Sequence, residues 1–174
     1  MPTATPKDFE HGLRFFTGER ISSHAGVAHC LGEEACRGLI VLDVAGPRVR
    51  QALRRAGDWL AASEQRKRGY YCCHRCTVAM WRHMTARSAA EAEAEKWLAA
   101  GLRRLRERRT DDGRWGSFPF HYTLLALTEV DLPGAVREMR HASPVCETLL
   151  RGSPREDIYD QRRRALAERV LARC

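Results

Sequence analysis

The chain has 174 residues, 44% hydrophobic and 30% charged, enough for one folded domain with its own core and no need of disulfide staples. Its formal charge of +8 is carried almost wholly by arginine, which admits a polyanionic partner but is equally the mark of a solvated basic surface. The longest uncharged apolar run, Gly38 to Leu42, is far too short to span a membrane. The N-terminal stretch lacks the basic-then-apolar order of an export signal, and seven cysteines without one read as free thiols in a reducing, cytoplasmic setting.

In chain order, "HGLRFFTGERISSHAGVAHCLGEEACRGLIVL" (11–42) reads as helical, interrupted at "TGERISS", with Gly32 a candidate break. His24 and His29 flank Ala25–Ala28 without a nearby carboxylate and read as ordinary helix residues. Pro47 opens the next helix, whose stripe is Val49, Leu53, Ala56 and Leu60. After the breaker "QRKRGYY", a helix starts in "CCHRCTVAMWRHM". Ser88 with Glu91 forms a capping box for the following helix. Ala94, Leu98, Leu102 and Leu105 make its apolar stripe, and its glutamates precede its arginines as the helix dipole favours.

Asp111 and Asp112 fall in the breaker "TDDGRWGS", where short acidic side chains suit a turn. "VDLPG" and "RGSP" separate the remaining helices, the last opened by Ser153, Pro154 and Glu156 with Tyr159, Leu166, Val170 and Cys174 on one face. No strand pair or hairpin turn is evident. The expectation is a single all-α domain over 1–174, about eight helical pieces joined by short loops as antiparallel hairpins.

A repeat lies inside this pattern. "DWLAAS" at Asp58 recurs as "KWLAAG" at Lys96, each followed by a polar stretch, a glycine with an aromatic, and an apolar helix. Aligning Gly69 with Gly113 and Thr77 with Thr123 gives a period of 44 to 46 residues, within the range of helical repeat arrays. The units run over about 47–87 and 88–131, and the segment 11–42 reads as a degenerate earlier copy.

The second copy, "LRRLRERRTDDGRWGSFPFHYTLLALTEV", resembles the α/α repeat of protein prenyltransferase β subunits and of squalene and terpene cyclases. Asp112, Gly113, Trp115, Gly116, His121, Thr123 and Leu127 carry the match. The resemblance implies part of an α/α toroid around an apolar cavity. Tyr71, Trp81, Trp115, Phe118 and Tyr122 are the aromatics that would line it. A toroid needs about six hairpins and this chain has room for roughly four, so its ends would call for a homodimer or a protein partner. The cyclases' aspartate-rich acid motif is absent.

Cys73 and Cys76 form a C-x-x-C at a helix start, which puts two sulfurs on one face of one turn. Zinc needs about four donors at roughly 2.0–2.3 Å. His83 lies seven residues beyond Cys76, about 10 Å along a helix, and cannot share a centre with it. Cys72 and His74 are further donors in reach. The resemblance brings in His121, since the family's zinc is held by residues of one repeat turn and a histidine of a later inner helix. The ligand set it implies is Cys73, Cys76 and His121, although the family's aspartate is missing from "RGYYCC". Thiol redox is a second chemistry for "CHRC", and plain packing of Cys76, Met80 and Met84 a third. A c-type haem site is excluded because Thr77, not histidine, follows Cys76.

The leading functional expectation is a binding module for an apolar or isoprenoid-like ligand, with zinc at the helix starts. One alternative is a metal- or thiol-dependent enzyme using Cys73. Another is a nucleic-acid or protein adaptor using the basic face of Arg162, Arg163, Arg164 and Arg169.

Overall fold

The computed structural model describes residues 13–21, 24–88 and 92–174. Among them are eight helices and no strand: α1 (His24–Val41), α2 (Pro47–Ala61), α3 (Glu64–Lys67), α4 (His74–Ser88), α5 (Ala92–Arg106), α6 (Phe120–Glu129), α7 (Pro133–Arg151) and α8 (Ile158–Leu171). Among the described residues the one ladder feature is an isolated bridge between Arg14 and Arg20. Among the described residues no helix is long and apolar enough to cross a membrane.

Several local readings meet the structure directly. Pro47 and Pro133 sit in the first turn of α2 and α7, where a missing N–H costs nothing. Gly32 does not break α1, which runs through it. Ser88 closes α4, and Glu91, its capping-box partner, lies outside the described residues. The last helix begins at Ile158, later than Pro154, because Asp157 is the cap: its carboxylate accepts from the backbone N–H groups of Tyr159 and Asp160. α7 continues through Pro144. The Arg140 carbonyl, which loses its usual donor there, accepts instead from the Ser143 hydroxyl at 2.9 Å.

The backbone forms two compact units: among the described residues, 24–101 in one, and 13–21 with 102–174 in the other. α5 supplies residues to both.

In the first unit α1 packs along α4. Partners joining the two helices stay 46 to 50 residues apart: Cys30 with Cys76, Glu34 with Arg82, Glu33 with His83. A near-constant separation means that the helices run parallel, displaced by about one period of the repeat. Their shared face is polar as well as apolar. Val27, Val78, Ala79 and Met80 are wholly buried. So is His83, whose Nδ1 lies 2.6 Å from a Glu33 carboxylate oxygen.

The turn before α4 is fixed by Gly69 at φ 72°, a left-handed conformation that suits a residue without Cβ. Its carbonyl accepts from the buried Trp81 indole at 2.8 Å. Gly101 of α5 packs against it, and a Cβ on Gly69 would fall 2.2 Å from the Gly101 nitrogen.

In the second unit the buried Glu138 of α7 organises the "DGRWG" turn. Its carboxylate accepts from Arg109 Nε and Nη2 and from the indole of Trp115. Gly113 takes φ 79°, matching Gly69 of the first copy in conformation. Asp112 accepts from the Thr110 hydroxyl, which holds its carboxyl below the usual carboxylate range. Glu19 reaches the start of α6 and accepts from the Tyr122 N–H at 2.9 Å, while Phe15 stacks on the Tyr122 ring.

Candidate metal centre

The first unit brings together one imidazole and two thiols: His29 of α1, Cys72 of the loop before α4, and Cys76 in the first turn of α4. Their ligand atoms all lie within 4.8 Å of one another, and these three residues could hold a metal ion. His29 Nδ1 is 3.3 Å from Cys72 Sγ and 3.9 Å from Cys76 Sγ. In a tetrahedral zinc site the bond lengths imply edges of about 3.5 Å between nitrogen and sulfur. The observed distances bracket that value before any metal draws the donors in. Cys76 is buried, His29 half-buried and Cys72 exposed, so the cluster has an open side.

Several contacts hold the donors in place. The Tyr71 N–H donates to the Thr77 hydroxyl at 3.0 Å, and that hydroxyl donates to the Cys73 carbonyl at 2.7 Å. Gln65 Nε2 donates to the Tyr71 carbonyl. The loop carrying Cys72 is thus pinned from both sides. Tyr71 packs against His29 with ring centroids 4.8 Å apart, Trp59 meets Tyr71 edge-on at 5.3 Å, and the Arg66 guanidinium lies 3.6 Å over the Trp59 ring. These rings pack beside the imidazole.

Further sulfurs stand beside the cluster. Cys30 Sγ is 3.9 Å from Cys76 Sγ, close to the edge of about 3.8 Å that two thiolates span on one zinc. Cys73 Sγ accepts from the Cys76 N–H at 3.5 Å. The thiols differ in proton affinity. Burial, then the neighbouring Cys76, pushes Cys72 up to about 12. The contact with Cys30, then burial, raises Cys76 well above an ordinary thiol. Burial raises Cys73 too, but the backbone and side-chain hydrogen bonds from Cys76, the Arg75 amide and the Cys72 thiol together outweigh it and lower it.

The residues singled out in the sequence fall in both units. Cys72 and Cys76 belong to the cluster, Cys73 adjoins it through the Cys76 N–H, and His74, the first residue of α4, lies edge-on to Tyr70. His121 belongs to the second unit, where its Nδ1 lies 3.7 Å from Glu19 and burial lowers the imidazole to about 4. Tyr71 and Trp81 are core residues of the first unit; Trp115, Phe118 and Tyr122 are core residues of the second. A cleft of about 230 Å³ opens in the second unit, lined among others by Arg114, Phe120, His121, Leu124, Cys146 and Leu149.

The basic face of α8 is tied to its own unit. Arg162 donates to the Phe16 carbonyl and lies over the Phe16 ring; Arg163 donates to the Thr17 carbonyl. Arg164 pairs with Asp160 and donates to the Leu150 and Gly152 carbonyls, and Arg169 donates to the Thr128 carbonyl.

The residue that sequence reasoning missed is His29. The signal for it was present: one repeat period of 46 residues before Arg75 lies position 29, the same register at which His121 follows Arg75. No protein-family model, curated protein or solved structure matches this chain.

Proposed function

We propose that the protein is a metal-binding helical domain whose first unit holds zinc, or another thiophilic divalent cation, through His29, Cys72 and Cys76. The observation that carries this reading is the convergence of one imidazole and two thiols, from α1, a pinned loop and α4, within 4.8 Å. Two sulfurs and a nitrogen in tetrahedral reach are the donor set of zinc rather than of magnesium or calcium, which take oxygen. Three protein ligands leave a fourth position for water, a substrate atom or Cys30, whose sulfur is 3.9 Å from that of Cys76.

The test is titration of reduced, metal-free protein with cobalt(II) under nitrogen. One equivalent should bind with a sulfur-to-metal charge-transfer band, and zinc should displace it. His29→Ala, Cys72→Ser and Cys76→Ser should each weaken binding at least tenfold. His121→Ala should leave it unchanged; loss of binding in that variant would instead support the ligand set of Cys73, Cys76 and His121. No stoichiometric cobalt or zinc binding by the reduced protein overturns the reading.

An apolar-ligand module is the second reading. It is favoured by the cleft of about 230 Å³ in the second unit, whose walls include Phe120, Leu124 and Leu149. Displacement of a bound fluorescent apolar probe by a short isoprenoid alcohol, lost in Leu124→Arg, supports it; displacement unaffected by that substitution places the ligand elsewhere.

A further inference from the structure

We propose that Cys73 is an oxidation-sensing thiol that controls metal occupancy by drawing Cys76 into a disulfide. The inference rests on the metal site proposed above and concerns its regulation. Cys73 stands beside the cluster without belonging to it: the converging donors are His29, Cys72 and Cys76. Its sulfur nevertheless accepts from the backbone N–H of Cys76, at 3.5 Å, and it is half-buried where Cys76 is fully buried. Cys73 immediately precedes α4 and its carbonyl accepts from the Thr77 N–H at 2.9 Å, so the C-x-x-C spacing sets it one turn before Cys76 at the start of the helix. With the exposed Cys72 committed to the metal, Cys73 is the unligated sulfur that an oxidant from solvent meets before Cys76. Neighbouring residues stand about 3.8 Å apart from Cα to Cα, too close for an ordinary disulfide, so Cys76 rather than Cys72 resolves the product, and Cys76 is itself a metal ligand.

The co-reactant is a peroxide, represented here by hydrogen peroxide. The Cys73 sulfur attacks one peroxide oxygen and the O–O bond breaks, giving Cys73 sulfenic acid and one water. The Cys76 sulfur then attacks the sulfenyl sulfur. The S–S bond forms, the S–O bond breaks, and hydroxide leaves and is protonated to a second water. The two sulfurs lose two electrons in total and the peroxide gains two; the proton that Cys76 gave up on binding the metal is made good from solvent. A disulfide sulfur no longer offers the metal a thiolate, so two protein ligands remain and the ion leaves. Reduction by a small thiol restores both cysteines and the site.

The experiment uses the full chain loaded with one zinc per molecule. Hydrogen peroxide is added with a chromophoric zinc chelator present, and disulfides are mapped by mass spectrometry after blocking free thiols. The expected result is zinc release in step with a Cys73–Cys76 disulfide, reversed by dithiothreitol. Cys73→Ser should bind zinc as the wild type does and release it at least tenfold more slowly under peroxide. Cys73→Ala, with its fold checked by circular dichroism, guards against a serine-specific effect. Release from either variant at the wild-type rate, or a wild-type disulfide joining Cys76 to Cys30 or Cys72 instead, overturns the assignment to Cys73. Zinc that stays bound while peroxide is consumed overturns the coupling but not the metal site. A reduced protein that never binds zinc overturns the metal site itself.

Discussion

Gly69 offers the sharpest test of how the loop before α4 is held. A Cβ there would lie 2.2 Å from the Gly101 nitrogen, 2.4 Å from its Cα and 2.5 Å from the Trp97 carbonyl oxygen. All three are backbone atoms of one helix, so no side-chain rotation relieves the clash. Three costs combine in Gly69→Ala. Holding alanine at positive φ costs about 1–2 kcal/mol. Displacing packed backbone costs about 1–3 kcal/mol, by analogy with overpacked cores. Loosening the Trp81 indole bond to the Gly69 carbonyl costs about 1 kcal/mol. The expected destabilisation is roughly 3–6 kcal/mol, a large part of a typical domain's stability.

Two other glycines calibrate it. Gly113 also has positive φ, but its Cβ would meet only the Val145 Cγ2 at 3.0 Å and the His141 carbonyl at 3.2 Å. Gly113→Ala should cost about 1–2 kcal/mol. Gly57, inside α2, has a Cβ direction that meets the movable guanidinium end of Arg87. Gly57→Ala should be near neutral or stabilise by up to about 1 kcal/mol through helix propensity. Urea denaturation followed by far-ultraviolet circular dichroism gives all three values, provided the slope with urea is unchanged. A Gly69→Ala protein within about 1 kcal/mol of wild type refutes the close approach, since the positive φ alone costs that much.

Three further outcomes follow from single sites. Glu138 is 2% exposed and accepts three N–H bonds. Glu138→Ala removes the shared acceptor of Arg109 and the buried Trp115 and should destabilise by about 2–4 kcal/mol, read by the same urea titration. Glu33→Ala leaves the buried His83 without its Nδ1 partner, beside an Nε2 that has none, and should cost about 2–4 kcal/mol. His121 is lowered from 6.5 to about 4 by burial. The unfolded chain therefore binds the extra proton first, and His121 removes stability as pH falls from about 6.5 towards 4. His121→Gln should flatten that part of the stability–pH curve; an unchanged slope refutes the assignment.

Local rules carried much of the fold into the sequence, and long-range pairing carried the site out of it. Helix identity was legible because the stripe of Ala94, Leu98, Leu102 and Leu105 is the face that ends up buried, and because Pro47 marks a helix start. The helix start at Ile158 was misplaced because Pro154 gave a strong signal and Asp157, the actual cap, a quieter one. Of the candidate site's cysteines, Cys76 was legible from the C-x-x-C spacing, while Cys72 was only a further donor in reach and Cys73, the other half of the motif, stands outside the three. The imidazole was not legible, because a helical pattern says nothing about which helix lies beside which. α1 and α4 run parallel, their partners 46 to 50 residues apart, so the histidine that meets Cys76 comes from a helix far earlier in the chain. The acids one turn beyond His29, Glu33 and Glu34, pair with His83 and Arg82 of α4. The ring beside His29 is that of Tyr71, a contact that only the fold creates.

That arrangement implies where a bound metal should stabilise the protein. His29 and Cys76 sit on helices separated in sequence by α2 and α3, so the unfolded chain does not hold the donors together. An ion that binds the folded site alone adds RT ln(1 + [L]/Kd), about 2.7 kcal/mol at a hundred times the dissociation constant. Because α1 packs along α4, that energy should be felt first where the two helices meet. Hydrogen exchange with and without zinc should show slower exchange across residues 26–34 and 70–80, by up to about a hundredfold at that zinc concentration. Cys76→Ser should erase the difference while keeping the helical spectrum. Zinc that slows exchange in α7 and α8 but leaves α1 and α4 unchanged would mean that the ion is held in the second unit, and the cluster of His29, Cys72 and Cys76 would then owe its geometry to packing alone.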